Sequence, residues 1–373
     1  MADNPIRLFH AAHSADLEKV AIDVLCSGQI ASGPKVQAFE LALEAVVGRR
    51  HLVTTNDMTS AVVLALHLAG AGPGDEVLTL AFSCMSSNSP IVRVGARAVW
   101  VDIDPMSASM SVDDVRRAIS PRTKALLLYH VAGYPGPAAE IAALCRERGI
   151  TVIEDCNNAL GALQDGKPVG SVGDYTVYSF YPNRQINAIE GGALVCPDQA
   201  TAERAIRLRR FGIDAKSFRD QLGEIDARSD IPEVGWSAAL NQLNAAIGLA
   251  QLPQLEEQRR RTLENAAFLH ASMQDLPTAK AVLPRDGSTP AYWGFLLLAK
   301  HRDRLLAELK SQGIHASKLH HRNDDYSGFA AARRSLPGTD ALMAQVLAVP
   351  CGWWLGNRDM QRLSAALKQA CAA

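Results

Sequence analysis

A single arginine, Arg184, stands in the middle of the segment SFYPNRQINAIEGG, which spans residues 179–192. Two aromatic residues and a proline precede it, and an acid with paired glycines follows it. A guanidinium stays protonated at ordinary pH and grips a phosphate or a carboxylate through two parallel hydrogen bonds. It does not serve as a nucleophile or a general base in the way that a desolvated lysine does. The residue type at position 184 therefore favours anchoring of an anion over proton transfer.

Two other segments place polar residues where a ligand could meet the chain. Asp155 follows the apolar residues of the segment VIEDCNNALGA, so its carboxylate either meets a cationic partner in a crevice or begins a turn. The residues Asp57-Met58-Thr59-Ser60 precede the apolar run VVLALHLAG. The start of a helix offers free backbone N–H groups to a phosphate, although Asp57 or Thr59 could instead cap that helix. The residues alone leave both alternatives open in each segment.

Histidines are the remaining candidates for chemistry. His130 follows a run of leucines, where it is either a base at a strand end or a structural residue held by hydrogen bonds. The stretch HHRNDDY, residues 320–326, is polar beside apolar sequence and could contact a ligand or face solvent. Lys318 lies just before it and is a second weak candidate for proton transfer.

The composition narrows the class of protein. With 373 residues, 48% of them hydrophobic, the chain can form one large core and a smaller one. Its net charge of -1 produces no field that would attract nucleic acid or an anionic membrane. No segment is apolar for the length of a membrane span, and the first residues lack the pattern of a signal peptide, so we expect a cytoplasmic protein. The seven cysteines show no metal-ligand spacing, so we expect no metal site and small buried thiols.

Strand and helix patterns alternate from about residue 34 to 200. Strands are predicted at 73–82, 96–104, 124–133 and 149–162, with helices at 62–72, 111–119 and 137–149. This alternation predicts an α/β protein with a mostly parallel sheet that carries ligands at its strand ends. A long helical stretch follows residue 236, and a shorter α/β pattern with a strand at 292–300 and helices at 302–313 and from 357 ends the chain. We expect a large domain over residues 1–252 and a small one over 253–373.

Several segments, in this order, resemble the DegT–StrS group of sugar aminotransferases. They are SGPKVQAFE, GPGDEVLTLAF, VGARAVWVDIDP, PRTKALLLYHVAGYPGPAAEI, VIEDCNNALGA, GSVGDYTVYSFYPNRQINAIEGGALV and GWSAALNQLNAAIGLAQL. The resemblance implies fold type I of the vitamin B6 enzymes, with a seven-stranded sheet. It also implies a homodimer whose subunits share their active sites, and a nucleotide-activated sugar as substrate.

The resemblance also assigns roles to individual residues. Asp155 would pair with the pyridine nitrogen of pyridoxal phosphate, where an anion keeps the ring an electron sink. Asn158 would lie near the ring oxygen, while Ser179 and Thr59 would help hold the phosphate. Ser237 falls in the segment that the neighbouring subunit lends to the site.

The chain departs from the family pattern at its most important positions. Arg184 stands where the family has the lysine that forms the Schiff base. The usual Ser-Gly-Thr of the phosphate cradle reads Asp57-Met58-Thr59, which puts an acid and a bulky side chain at the phosphate. In the lent segment, Ser237 replaces an asparagine and Ala239 an arginine.

Three hypotheses follow from these departures. The first, slightly favoured by the retained Asp155, Asn158 and Ser179, is a nucleotide-sugar enzyme that binds pyridoxal or pyridoxamine phosphate non-covalently. The second is a cofactor-free enzyme whose anionic substrate is anchored by Arg184. The third is a non-catalytic partner subunit. Asp57 discriminates among them, because an Asp57 that caps its helix leaves no seat for a phosphate.

Overall fold

The apolar runs of the sequence form strands in the computed structural model, which describes residues 4–372. The strands are β1 (Leu52–Thr55), β2 (Glu76–Leu80), β3 (Arg97–Val101), β4 (Ile103–Asp104), β5 (Ser109–Met110), β6 (Thr123–Tyr129), β7 (Thr151–Asp155), β8 (Leu163–Gln164), β9 (Lys167–Pro168), β10 (Tyr175–Ser179), β11 (Gly192–Val195), β12 (Ala279–Ala281), β13 (Ser288–Thr289), β14 (Phe295–Ala299) and β15 (Val346–Val349).

Helices with an apolar face cover these strands. They are α1 (Ala15–Ser27), α2 (Pro34–Val47), α3 (Met58–Leu68), α4 (Met85–Arg93), α5 (Val112–Ala118), α6 (Ala138–Arg146), α7 (Gln199–Leu208), α8 (Gln242–Gln251), α9 (Leu255–Met273), α10 (Arg302–Ser311), α11 (Pro337–Gln345) and α12 (Asn357–Ala372). Among the described residues, no helix combines the length and the apolar character that crossing a membrane requires.

The central sheet has seven strands in the order β1-β11-β10-β7-β6-β2-β3. The pairs from β10 to β3 are parallel, and β11 is antiparallel to both of its neighbours. The predicted α/β class and the mostly parallel sheet are confirmed. Because the parallel strands share a direction, the residues after β2, β6, β7 and β10 meet at one edge of the sheet.

A second, antiparallel sheet in the order β12-β14-β15 forms the last part of the chain. One apolar cluster joins it to the large sheet, since Leu126 and Leu128 of β6 and Leu296 and Leu347 of the small sheet belong to the same buried group. The domain boundary at residues 252 and 253 therefore stays a prediction.

The largest differences from the predicted helix limits concern α3 and the stretch after residue 236. α3 spans Met58–Leu68 rather than 62–72, because the Asp57 side chain accepts a hydrogen bond from Ser60 N at 2.7 Å and starts the helix earlier. The long helical stretch after residue 236 is divided into α8 and α9 by a 3₁₀ turn over Leu252–Gln254. Pro253 has no N–H group for a continuous helix.

The cysteines are free thiols in the described residues. Most are buried, as predicted: Cys145, Cys156, Cys196, Cys351 and Cys371. Cys26 is exposed and Cys84 is half-buried, so the prediction of buried apolar thiols is wrong for these two.

Candidate functional site

The segment that carries Arg184 is a loop between β10 and the antiparallel β11. Phe180 N donates to Gly191 O and Ala188 N to Phe180 O, each at 2.8 Å, so the two ends of the loop are fixed. A Cβ atom on Gly192 would lie 2.6 Å from Asp57 O. The glycine is therefore required for β11 to approach the start of α3, which brings Asp57 and the loop together.

Contacts on both sides of Arg184 position its side chain. Trp293 Nε1 donates to Asn183 O at 2.7 Å, and Gln185 Nε2 donates to Asn158 O at 2.8 Å. The guanidinium carbon lies 5.1 Å from the centroid of the Trp293 ring, a cation–π contact. Arg184 Nη1 donates to Asn183 Oδ1, whereas Nε is buried and has no hydrogen-bond partner. One donor of this side chain is thus desolvated and unused.

A cavity of about 310 Å³ opens beside Arg184 at the strand ends. Its walls come from the start of α3, the start of α4, the Arg184 loop and the segment before β14: Asp57, Met58, Thr59, Cys84, Ser86, Ser179, Tyr181, Asn183, Arg184, Glu190 and Trp293. The structure therefore brings Met58, Thr59, Ser179 and Arg184 together, as the sequence analysis expected.

Two carboxylates face the same cavity. Asp57 accepts hydrogen bonds from Ser60 N at 2.7 Å and Ser60 Oγ at 3.2 Å, so it caps α3. Burial raises the pKa of Glu190, the charge of Asp57 raises it further, and Arg184 opposes both effects. A phosphate dianion at this helix start would meet both acids, so the cavity disfavours a phosphate there.

Asp155 and Asn158 are fully buried and do not line the cavity. Asp155 Oδ2 accepts from Ser87 Oγ at 2.6 Å, and Oδ1 accepts from Asn157 N at 3.0 Å and Asn157 Nδ2 at 2.9 Å. Burial raises the pKa of Asp155 although these hydrogen bonds oppose the shift. The carboxylate is held by these three hydrogen bonds, without an ion pair to a cation at hydrogen-bond distance among the described residues.

His130 lies outside the cavity and both of its ring nitrogens are engaged. Nε2 is 3.1 Å from Glu154 Oε2, and Nδ1 accepts from Gly136 N at 2.9 Å. This geometry favours the structural alternative over the catalytic one. Lys318 does not line the cavity either, and its Nζ pairs with Asp303 Oδ1 at 2.7 Å.

Tyr129 and Cys84 were not singled out from the sequence, and His320 was named only as part of the polar stretch 320–326. Tyr129 OH lies 3.1 Å from His320 Nε2, and His320 Nδ1 lies 3.9 Å from Cys84 Sγ. Burial lowers the pKa of His320 to about 4, with the charge of Arg184 acting in the same direction. The available signals were the strand-end positions of Tyr129 and Cys84 and the polarity of residues 320–326.

Ser237 is exposed and is not part of the cavity wall. Its backbone forms a β-bridge with Arg210. A role for Ser237 in the site of a neighbouring subunit therefore stays a prediction.

The comparison with known proteins decides the family. Residues 12–368 match the model of the DegT/DnrJ/EryC1/StrS aminotransferase family. The protein belongs to this family. The sugar aminotransferase CalS13 from Micromonospora echinospora is 34% identical with a TM-score of 0.92, and the match covers 98% of this chain and 99% of that one. AtS13 from Actinomadura melliaura is also 34% identical, with a TM-score of 0.92 and coverage of 99% and 100%.

A third similar structure is DesV from S. venezuelae, in complex with a ketimine intermediate. It is 27% identical, with a TM-score of 0.88 and coverage of 96% of this chain and 95% of that one. Fold type I is thereby confirmed, as is the resemblance to sugar aminotransferases.

Pyridoxal phosphate is the cofactor of the family, and the cavity does not fit it well. Among the described residues, no lysine lines the cavity, so nothing there can form a Schiff base. Asp57 occupies the helix start that would face the phosphate, and Glu190 adds a second carboxylate. Asp155 is present, but it is fully buried and does not line the cavity.

Proposed function

We propose that this protein is a sugar-binding member of its family that works without a covalently attached cofactor and anchors an anionic sugar through Arg184. The buried Arg184 Nε, which has no partner inside the protein, carries the proposal. A desolvated donor of a charged group costs free energy unless a ligand accepts from it. Of the earlier hypotheses, this is the cofactor-free enzyme, which Asp57 favours because it caps α3.

A carboxylate suits the cavity better than a phosphate. Arg184 lines the cavity, so its guanidinium can donate a charge-assisted hydrogen bond there, and Asp57 and Glu190 can accept hydrogen bonds from sugar hydroxyls. One negative charge is balanced by the guanidinium, whereas a dianion is repelled by the two acids. The proposed ligand is therefore a nucleotide-activated sugar that bears one carboxylate. The similarity to sugar aminotransferases supports the sugar class.

We also propose a homodimer. Apolar side chains are exposed on and near the polar segment before Trp236, namely Leu222 at 87% and Val234 at 79%. Exposed large apolar side chains of this kind are typical of a subunit interface. Light scattering should give a mass near twice 40.1 kDa, and a monomeric mass would refute the dimer.

Calorimetric titration with two nucleotide sugars tests the proposed ligand. UDP-glucuronate and UDP-glucose differ in one carboxylate, so their affinities isolate its contribution. A charge-assisted hydrogen bond contributes about 1.5–3 kcal/mol, and we expect UDP-glucuronate to bind at least about tenfold more tightly. Arg184→Gln should abolish this preference, whereas Arg260→Gln on the exposed face of α9 should keep it. Equal affinities in the wild type would refute the role of Arg184.

Titration with pyridoxal phosphate and pyridoxamine phosphate tests whether the protein binds either form of the cofactor. We expect no imine absorbance in the wild type, and none in Arg184→Lys, because Asp57 and Glu190 still repel the phosphate. Arg260→Lys is the matched control for an added lysine. An imine band in Arg184→Lys alone would show that the phosphate seat persists. Micromolar binding of the amine form to the wild type would instead support a non-covalent vitamin B6 enzyme.

A further inference from the structure

A thiol and an imidazole stand beside Arg184. Cys84 lines the cavity just after β2, and the segment around His320 is fixed against the same strand end. Asn323 N donates to Ala81 O at 2.9 Å, and Asn323 Nδ2 donates to Ser83 O at 3.0 Å. These contacts hold His320 Nδ1 at 3.9 Å from Cys84 Sγ.

The hydrogen bonds of Tyr129 determine which nitrogen of His320 carries the proton. Tyr129 OH accepts from Asn158 Nδ2 at 2.8 Å and from Ala132 N at 3.3 Å, so its own proton is donated to His320 Nε2 at 3.1 Å. A neutral imidazole that accepts at Nε2 carries its hydrogen at Nδ1. His320 therefore directs an N–H group at the sulfur of Cys84.

Opposing electrostatic effects act on the Cys84 thiol. Burial raises its pKa, and the charge of Asp155 raises it further, while Arg184 and a hydrogen bond with Ser86 lower it. The resting residue is a protonated thiol that lies next to a cation and two hydrogen-bond donors. Cys84 has in this way the partners of a reactive cysteine without being permanently ionised.

We propose that Cys84 adds reversibly to a carbonyl carbon of the ligand whose carboxylate is bound by Arg184. This inference rests on the proposed function, and Arg184 lines the same cavity as Cys84. The thiol releases its proton to water, and the sulfur lone pair forms the S–C bond while the C=O π bond breaks. The resulting alkoxide takes a proton from water. The product is a hemithioacetal or hemithioketal, with no oxidant, reductant or net proton required.

Competition between alkylation and a small keto acid tests this step on the native full-length protein. Iodoacetamide reacts with accessible thiols, and peptide mass spectrometry gives separate rates for Cys84 and for the exposed Cys26. Glyoxylate has a carboxylate beside an aldehyde, and glycolate has the same carboxylate beside an alcohol. At ten times its half-protecting concentration, glyoxylate should slow alkylation of Cys84 about tenfold, while Cys26 reports the ordinary reaction of a free thiol. Glycolate should protect Cys84 far less.

The outcomes separate the covalent step from binding. Equal protection of Cys84 by glyoxylate and glycolate would refute the covalent step and leave the carboxylate site intact. Equal protection of Cys84 and Cys26 by glyoxylate would also refute it, because the cavity would then add nothing. Failure of the proposed function itself is read from the two nucleotide sugars, not from alkylation.

The variant His320→Phe tests the role of His320 beside Cys84. His320→Phe keeps an aromatic ring but removes the N–H that faces the sulfur. The pH dependence of Cys84 alkylation should move to higher pH in this variant, while the profile of Cys26 stays unchanged. Arg184, Asp155 and Tyr129 are the other titratable groups that act on this thiol or contact His320. An unchanged Cys84 profile would refute the positioning role of His320.

Discussion

Two neighbouring acids of β7, Glu154 and Asp155, stand in very different surroundings. Successive side chains of a strand point to opposite faces of its sheet. Glu154 accepts hydrogen bonds from Val172 N at 2.8 Å, Gly173 N at 2.6 Å and Gly170 N at 3.2 Å, and it meets His130 at 3.1 Å. Burial acts to raise the pKa of Glu154, but these contacts together lower it. The carboxylate of Glu154 therefore has all of its hydrogen-bond partners inside the protein.

The polar groups around Asp155 are not all hydrogen-bonded within the protein. Several buried polar atoms next to it have no partner among the described residues: Asn157 Oδ1, Asn158 Oδ1, Arg184 Nε and Gln185 Oε1. Burial raises the pKa of Asp155 in spite of its hydrogen bonds. Of these residues, Arg184 lines the cavity at the strand ends.

The difference separates structure from function within one strand. His130, Glu154 and Cys156 have ligand atoms within 4.8 Å of one another, a spacing that a metal could use, yet the His130 and Glu154 atoms already have partners inside the protein. Polar groups that serve the fold are satisfied internally, while those that serve a ligand are left incomplete. We therefore read the Glu154 region as structural and the Asp155 region as functional.

The largest expected effect comes from exchanging these two acids for their amides. Glu154→Gln replaces an acceptor with an NH₂ group that faces backbone N–H donors, and we expect a loss of about 3 kcal/mol in the free energy of unfolding. Asp155→Asn is the matched control and should change stability by less than about 1 kcal/mol, because the carboxylate is already disfavoured by burial. Urea unfolding at neutral pH measures both.

Acid unfolding sharpens the same comparison. The folded pKa of Glu154 is lowered, so its contribution is present above the ordinary pKa and is lost as the pH falls through the folded value. The folded pKa of Asp155 is raised, so its ionisation costs stability as the pH rises above the ordinary value. If both amide variants were equally destabilised at neutral pH, the distinction between the two regions would be wrong.

Much of this contrast was not accessible from the sequence. Motif order was sufficient for the fold, and it placed Met58, Thr59, Ser179 and Arg184 at one site, because strand ends and helix starts are local features. The roles of side-chain partners were not local. His130 meets a residue of the neighbouring strand, and Cys84 meets His320 across 236 residues of chain. Only the packed structure shows which of these groups are satisfied.

Arg184 is the subject of the next test. A buried charged group whose partner is a ligand lowers the free energy of unfolding as long as no ligand is bound. Burial lowers the pKa of Arg184, and its Nε has no partner. Arg184→Met keeps the length and packing of the side chain without the charge, and we expect the free protein to gain about 1 kcal/mol. The same variant should lose its preference for UDP-glucuronate over UDP-glucose.

Arg209→Met is the contrasting variant. Arg209 Nη1 donates to Glu40 Oε1 and Thr54 O, each at 2.6 Å, so its loss should destabilise the protein. Destabilisation by Arg184→Met would mean that the arginine serves the fold.

A further expected effect is the pH dependence of stability that His320 causes. Its folded pKa of about 4 lies below its ordinary value of 6.5, so the unfolded chain binds more protons between these values. Stability should therefore fall as the pH falls from about 6.5 to 4, by at most about 1.4 kcal/mol per pH unit for one group. His320→Phe should remove this slope, whereas His315→Phe, at an exposed position, should leave it unchanged. Urea unfolding across this pH range measures the slope.

A bound carboxylate should act on this slope in a definite direction. The positive charge of Arg184 contributes to the lowered pKa of His320, and a carboxylate beside Arg184 would offset that charge. With UDP-glucuronate present, the His320-dependent slope should become shallower, while UDP-glucose should leave it as it is. If neither nucleotide sugar changed the slope although UDP-glucuronate bound, the carboxylate would have to lie away from Arg184. The imidazole of His320 thus reports on the location of the ligand's charge without any requirement for turnover.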